Sequence, residues 1–152
     1  GATAEQLPLP STAFGDPAAI AEAVKAYLSQ NPDVTGALAI GAGEADASAI
    51  GIQQAGLTGK VFLGSFDFNE ATLNRIKAGE QAFAIDQQPY LQALLAVTLL
   101  ASHIDFGTDL PTAPLLTGPG IIDASNVGPL LDVARDRRAA VDGQRGADDD
   151  EA

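Results

Sequence analysis

Short apolar runs alternate along the chain with amphipathic stretches that carry their own start and stop signals. In GDPAAIAEAVKAYLSQNPDV, Asp16 is a good N-cap, Pro17 suits the first helical position, and Asn31-Pro32 ends the helix. A buried strand is predicted directly afterwards in TGALAI, Thr35 to Ile40. This alternation constrains the chain to an α/β fold, because parallel strands need crossover connections and those are usually helices.

The strand-helix unit then repeats. The predicted elements are a helix in EADASAIGIQQAGL stopped by Gly56, a strand from Lys60 to Phe66, a helix from Asn69 to Gly79, a strand in AFAID, a helix from Pro89 to about Ile104, an extended segment in LLTGPGIID and a last short helix in NVGPLLDVARDRRAAV. The strands are almost continuously apolar, which is typical of strands buried on both faces. The predicted fold class is therefore α/β, with a parallel sheet and helices on both faces.

Composition excludes several classes of function. The chain has 152 residues, 46% of them hydrophobic, which suits one domain with a proper core. It has no cysteine, so disulfides, thiolate metal sites and cysteine nucleophiles are excluded. A net charge of −12 argues against nucleic acid and anionic membranes as partners. No apolar run reaches membrane-spanning length, the start GATAEQLPLP lacks signal-peptide features, and the end GADDDEA is predicted to be a solvated tail.

Polar side chains follow the predicted strands at the point where each strand ends. The segments concerned are Gly41-Ala42-Gly43-Glu44, Asp67-Phe68-Asn69 and Asp86-Gln87-Gln88, and Phe14 directly precedes the first helix. Open parallel sheets bind ligands beyond the carboxyl ends of their strands. Carboxylates and amides bind hydroxyl groups well, and aromatic faces suit the C–H faces of a sugar ring. The set therefore favours a carbohydrate or polyol site over a phosphate site, which would need Lys or Arg.

Each of these features also has a simpler explanation. GAGEAD lacks the third glycine of a dinucleotide-binding loop. Asp67 would also serve as a helix cap. Asp86 would also serve as an acid favoured at the start of a helix. His103 is most simply a polar tip on an apolar helix. Neither H-E-x-x-H nor G-x-S-x-G occurs, so no catalytic residue, metal or cofactor is predicted. Two acids leave a glycosidase as the remaining enzymatic alternative.

Four stretches carry a resemblance to a known family: NPDVTGALAI, AGLTGKVFLGSFDFNEATLNRIKAGE, FAIDQQPYLQALLAV and LLTGPGIIDASNV. Together they resemble the C-terminal half of a sugar-type periplasmic binding protein, of the type I ribose/galactose-binding superfamily. The resemblance covers residues 7–127, and the G-x-F-D and Q-x-P strand ends are its most specific elements.

The resemblance implies roles for particular residues. In that family, side chains at the positions of Asp67 and Gln87 bind sugar hydroxyls, and a Phe at the position of Phe14 stacks on the ring. Gly41 stands where the family usually has Asn, so its contact would come from Glu44 or from nearby backbone groups, or would be lost. Phe68 is an additional candidate.

The resemblance also implies how the chain is organised. Residues 1–88 would form a partial C-terminal lobe, residues 89–127 a hinge crossing, helix and extended segment that pack with the N-terminal lobe, and residues 128–152 a short helix and acidic disordered tail. The chain would then be a fragment or truncated form, with apolar surface covered by a homo-oligomer or by the missing lobe.

The implied function is a non-catalytic solute receptor of an ABC-type sugar importer. It would bind a monosaccharide or polyol outside the cytoplasm and deliver it to an ABC permease. The effector-binding half of a sugar-responsive regulator shares this fold and remains an alternative, and a sugar-acting enzyme is a further one.

Overall fold

Local capping chemistry sets the helix boundaries in the computed structural model of the protein, which describes residues 2–13 and 15–134. The elements are a 3-10 turn (Ser11–Ala13), α1 (Pro17–Gln30), β1 (Gly36–Ala39), α2 (Ala42–Gln54), β2 (Phe62–Phe66), α3 (Glu70–Ala78), β3 (Phe83–Asp86), α4 (Pro89–Phe106) and β4 (Gly120–Ile122). Residues 127–134 are also helical. The remainder of the predicted last helix and the acidic tail lie outside the described residues.

The predicted caps are confirmed. Asp16 accepts hydrogen bonds from the backbone N–H groups of Ala18 and Ala19 at 3.0 and 3.1 Å, and Asn69 accepts one from the N–H of Thr72 at 2.8 Å. Gly79 ends α3 in the left-handed conformation, with φ of 77°. Helix α2 begins earlier than predicted, at Ala42, because the Gly41 carbonyl already accepts the first helical hydrogen bond, from Ala45.

The strands form one sheet in the order β1-β2-β3-β4. Strands β1, β2 and β3 are parallel, as predicted, whereas β4 pairs antiparallel with β3. The reason is the path of the chain after β3. Gly120 pairs with Asp86, so the chain leaves the sheet at the end of β3 and re-enters beside the same point, which forces β4 to run backwards.

One face of the sheet carries the core. Leu63 packs in a cluster with side chains of α1 and α2, while Ala84 and Ile122 pack in a second cluster with α3 and residues 127–134. The pairing register places these strand residues on a single face, because side chains alternate along a strand.

The opposite face is largely open within the described residues. It presents Leu38, Phe62 and Ile121, which are 55%, 68% and 50% exposed. The α/β class is confirmed, but the predicted helices on both faces are found on one face only within residues 2–13 and 15–134.

Helix α4 has no buried residue. We define the α4 surface as its exposed large apolar side chains, Tyr90, Leu94, Val97, Leu100, Ile104 and Phe106. No helix within the described residues is both long enough and apolar enough to cross a membrane.

The turn between β4 and residues 127–134 predicts a pH dependence. The Ser125 hydroxyl and backbone N–H both donate to Oδ1 of Asp123, at 2.5 and 2.8 Å, and these bonds lower the pKa of the Asp123 carboxyl. A carboxylate with a lowered folded-state pKa stabilises the fold above its unfolded-state pKa, and that stabilisation is lost as the pH falls through the folded-state pKa. We therefore expect the chemical shift of the Ser125 amide to change with pH at a midpoint below the ordinary pKa range of an Asp. Ser125→Ala should move the midpoint of the residue 125 amide up towards that range. An unchanged midpoint would contradict the hydrogen bond from the Ser125 hydroxyl as a cause of the lowered Asp123 pKa.

Candidate functional site

The carboxyl ends of the three parallel strands meet at one edge of the sheet. Ala39 pairs with Ser65, and Phe66 pairs with Ile85, so the residues that follow β1, β2 and β3 lie side by side. The sequence candidates Asp67 and Gln87 are in direct contact there, with Nε2 of Gln87 donating to Oδ1 of Asp67 at 2.9 Å. We call this contacting pair the strand-end pair.

Asp67 occupies a left-handed backbone conformation, with φ of 57°. Its N–H donates to the carbonyl of Ile85 at 2.9 Å, and its own carbonyl accepts from the Ser65 hydroxyl at 3.1 Å. Asp tolerates this conformation better than most residues, although it is still unfavourable for any side chain with a Cβ. The backbone on both sides of the carboxylate is therefore held by hydrogen bonds.

Gln87 is held by a turn in which Asp86 has a clear role. Oδ1 of Asp86 accepts from the backbone N–H of Gln88 at 2.7 Å, and Gln88 has a left-handed φ of 55°. The Gln87 carbonyl accepts from Oγ1 of Thr117 at 3.0 Å and from Nε2 of Gln92 at 2.8 Å. Asp86 thus shapes the turn that presents Gln87, a local role at the start of α4 that is close to the helix-start acid suggested by the sequence.

Gly41 and Glu44 lie at the start of α2, beyond β1. Gly41 is the N-cap and provides no side-chain cap, and the Glu44 carboxylate folds back over its α-carbon. A carboxylate in the first turn interacts favourably with the positive end of the helix dipole. Glu44 is exposed at the same edge of the sheet as the strand-end pair.

The two aromatic candidates are Phe68 and Phe14. Phe68 is partly buried and packs against the core cluster that contains Leu73 and Ile76. Phe14, predicted to stack on a sugar ring, lies outside the described residues.

His103 is exposed on α4, and its Nδ1 lies 2.8 Å from the carbonyl oxygen of Thr108. Because a carbonyl oxygen can only accept, Nδ1 carries the proton.

Sequence patterns missed a group of polar residues behind the strand-end pair. Arg75 contacts Asp46 at 2.6 Å, and Gln81 and Ser65 are buried and hydrogen-bonded to each other at 2.9 Å. The available signal was Gln81 itself, a large polar side chain directly before an apolar strand, because a buried amide requires partners.

The strand-end pair retains hydrogen-bonding capacity. Within the described residues, Oδ2 of Asp67 and Oε1 of Gln87 accept no hydrogen bond, and Gln87 is exposed. A carboxylate accepts several hydrogen bonds and an amide both donates and accepts, so the pair suits a ligand with adjacent hydroxyl groups. No cluster of three or more His, Asp or Glu side chains suited to a metal ion occurs among the described residues.

A separate groove of about 530 Å³ lies between α4 and the segment that returns to β4. It is lined mainly by apolar side chains, among them Leu95, Leu99, Leu110 and Leu115. A ligand rich in hydroxyl groups would lose hydrogen bonds to water there without gaining replacements, so the groove suits it poorly.

Comparison with known proteins agrees with the α/β fold. A family model described as a periplasmic binding protein domain matches residues 5–109. The xylose/arabinose-binding protein XylF of Sulfolobus acidocaldarius is 30% identical over 118 residues, which are 74% of this chain and 29% of that protein.

Two solved structures are similar at about the same identity. A carbohydrate transporter from Acidothermus cellulolyticus 11B, in complex with myo-inositol, is 30% identical with a TM-score of 0.71, covering 78% of this chain and 41% of that one. An ABC transporter solute binding protein from Agrobacterium vitis, bound with alpha-D-tagatopyranose, is 31% identical with a TM-score of 0.67. The match covers 74% of this chain and 37% of that one.

The match extends over more than two thirds of the chain and includes the strand-end pair. The chain spans only 29% of the curated relative's length, and about two fifths of the solved relatives' length. The fold, the order of its elements and the matching family model lead to one conclusion: this chain belongs to the periplasmic binding protein domain family.

Proposed function

We propose that this chain is the ligand-binding part of a solute receptor for a monosaccharide or polyol, and that it is not an enzyme. The observation that carries the proposal is the strand-end pair, a carboxylate and an amide joined at 2.9 Å beyond the carboxyl ends of β2 and β3. The relatives bound with myo-inositol and with a tagatopyranose support it, because both ligands are polyhydroxylated rings.

The chemistry of the edge supports neutral ligands over anionic ones. Both Asp67 and Glu44 are acids, and the cation that lies behind the pair, Arg75, is already bound to Asp46. An anion at this edge would meet like charges and no unengaged cation among these residues. Hydroxyl groups can instead donate to the carboxylates and exchange hydrogen bonds with the amide.

We also propose the wider context of the receptor. Membership of a periplasmic binding family supports an extracytoplasmic location and an ABC permease as the partner that receives the ligand. The α4 surface would then be covered by protein outside this chain, either the rest of a receptor polypeptide or a second copy, because large exposed apolar patches are unusual on isolated proteins.

Titration calorimetry tests the proposed ligand class. We expect at least one of myo-inositol, tagatose, xylose and arabinose to bind saturably, with an affinity in the range of about 0.1 to 10 mM because a single open edge excludes little water. Inorganic phosphate is the control and should give no saturable heat. Saturable binding of none of these four sugars and polyols would contradict the proposal, whether or not phosphate binds.

A further inference from the structure

We propose that a series of hydrogen bonds, from Asp46 and Arg75 through the buried side chains of Gln81 and Ser65, positions Asp67 for ligand binding. This inference rests on the proposed function, since it assigns positioning residues to the same site. None of the four residues lies in the strand-end pair itself, and they come from α2, α3, the loop after α3 and β2.

The series of hydrogen bonds starts from an ion pair between α2 and α3. Nη2 of Arg75 donates to Oδ1 of Asp46 at 2.6 Å, and the Arg75 side chain is only 14% exposed. The other carboxylate oxygen of Asp46 accepts from Nδ2 of Asn69, the N-cap of α3, at 2.8 Å. The guanidinium is therefore held in a defined orientation, with its Nε directed at Oε1 of Gln81, 3.1 Å away.

The direction of the next hydrogen bonds follows from the chemistry of arginine. A guanidinium can only donate, so the atom of Gln81 that faces it must be the amide oxygen. The Gln81 amide nitrogen then faces the other way, where it donates to Oγ of Ser65 at 2.9 Å and to the carbonyl of Phe83 at 3.1 Å. Gln81 is 2% exposed, so water does not compete for these positions.

The Ser65 hydroxyl accepts from Gln81 and donates in turn to Asp67. Its hydroxyl has one proton, and because Oγ accepts from Gln81, that proton is directed to another acceptor. The acceptor is the backbone carbonyl of Asp67, at 3.1 Å. Ser65 is fully buried, and so the hydroxyl has no alternative partner in solvent.

The terminal hydrogen bond acts on one of the two non-glycine residues with a left-handed backbone among those the structure describes. Asp67 has φ of 57°, and its N–H is already held by the Ile85 carbonyl. Holding the Asp67 carbonyl as well fixes the peptide plane after it, and with it the direction of the carboxylate towards Gln87. Ligand sites of this kind depend on support behind the contacting residues, because small displacements of a hydrogen-bonding group weaken binding.

Ser65→Ala tests the proposal with the smallest change of volume. We expect the ¹⁵N and ¹³Cα resonances of Asp67 and the side-chain NH₂ resonances of Gln87 to shift, and the affinity for myo-inositol to fall about fivefold, in line with the loss of one hydrogen bond. Ser29→Ala is the matched control, because Ser29 also donates to a backbone carbonyl, that of Lys25, but lies on α1 before β1. The control should change neither the resonances nor the affinity.

Gln81→Glu tests the donor-to-acceptor direction of these hydrogen bonds, because glutamate has nearly the same shape as glutamine. A carboxylate still accepts from Arg75 but has no N–H for Ser65, so the Ser65 proton would turn towards it and leave the Asp67 carbonyl. We expect Asp67 and Gln87 to show the same resonance changes as in Ser65→Ala, with the far-ultraviolet circular dichroism of the parent protein. If one variant does not fold, the other still decides the question.

The outcomes separate this inference from the proposed function. Unchanged Asp67 and Gln87 resonances in a folded Ser65→Ala or Gln81→Glu variant would overturn the positioning role, even where the parent protein binds myo-inositol. Shifted resonances in a protein that binds none of the four polyols would leave the positioning role standing and overturn the proposed function instead. A fall in affinity fully explained by the unfolded fraction, measured by thermal denaturation, would show a purely structural role.

Discussion

We expect Asp67→Ala to lower the affinity for whichever of myo-inositol, tagatose, xylose and arabinose binds best by about 100-fold, which corresponds to about 2.7 kcal/mol. The reason is that the carboxylate can accept hydrogen bonds from two neighbouring hydroxyl groups, and bonds to a charged acceptor are stronger than neutral ones. Removing it also frees Nε2 of Gln87, which Oδ1 of Asp67 now orients. Calorimetry with the best ligand of the panel measures the change.

Two further variants sharpen this prediction. Asp67→Asn keeps the shape and tolerates the left-handed φ of 57°, so it should fold as the parent does and still lose about tenfold in affinity. Combining Asp67→Ala with Gln87→Ala should cost less than the sum of the two single changes, because the two side chains are in contact.

Asp33→Ala is the control for charge. Asp33 is an exposed acid in the turn before β1, at the opposite end of that strand from the edge that carries the strand-end pair. Its removal changes the net charge by the same amount as Asp67→Ala and should leave the affinity unchanged. Undiminished affinity in Asp67→Ala would remove the strand-end pair from the binding site.

We expect Gly51→Ala to lower the free energy of unfolding by about 2 kcal/mol, although alanine is the better helix former. Gly51 lies inside α2 where this helix packs against α1, and a Cβ at this position would lie 2.5 Å from the carbonyl oxygen of Ala21 and 2.9 Å from Cβ of Val24. The first of these contacts is with backbone, so the two helices would have to move apart. Urea denaturation of the parent and the variant measures the difference, when both curves are fitted with the same dependence of the unfolding free energy on urea concentration.

Gly43→Ala is the matched control in the same helix. A Cβ at Gly43 meets no atom within 4 Å, so only the intrinsic preference of alanine for helix remains. We expect a gain of about 0.5 to 1 kcal/mol in the free energy of unfolding. If both substitutions stabilised the protein, the close packing of α1 against α2 would be wrong.

Features that depend on near neighbours in sequence were predictable from the residues alone. Asp16 and Asn69 cap their helices through N–H groups two or three residues away, and Gly79 ends α3 because glycine accepts a positive φ. The apolar strands and the helices between them followed from periodicity, and so did the α/β class. The polar composition of the strand ends located the candidate site.

The candidate residues themselves were predictable to different degrees. The pattern placed Asp67 and Gln87 at one edge, and the family resemblance singled them out, but their contact at 2.9 Å depends on the register of β2 with β3. The sequence suggested Asp86 as an acid favoured at a helix start, and the structure shows that its carboxylate accepts from the N–H of Gln88, the N-cap of α4. The roles of all six candidates in ligand binding remain predictions: Asp67, Gln87, Phe14, Gly41, Glu44 and Phe68.

The sequence by itself determined which segments are helix or strand, where the helices are capped, and which strand ends carry polar side chains. Only the tertiary structure decided that β4 runs backwards, that helices cover one face of the sheet within the described residues, and that Asp46, Arg75, Gln81 and Ser65 converge on Asp67. The physical reason is distance along the chain. A cap is an interaction across two to three residues, whereas Asp46 and Arg75 are separated by 29, and their meeting depends on how whole helices pack.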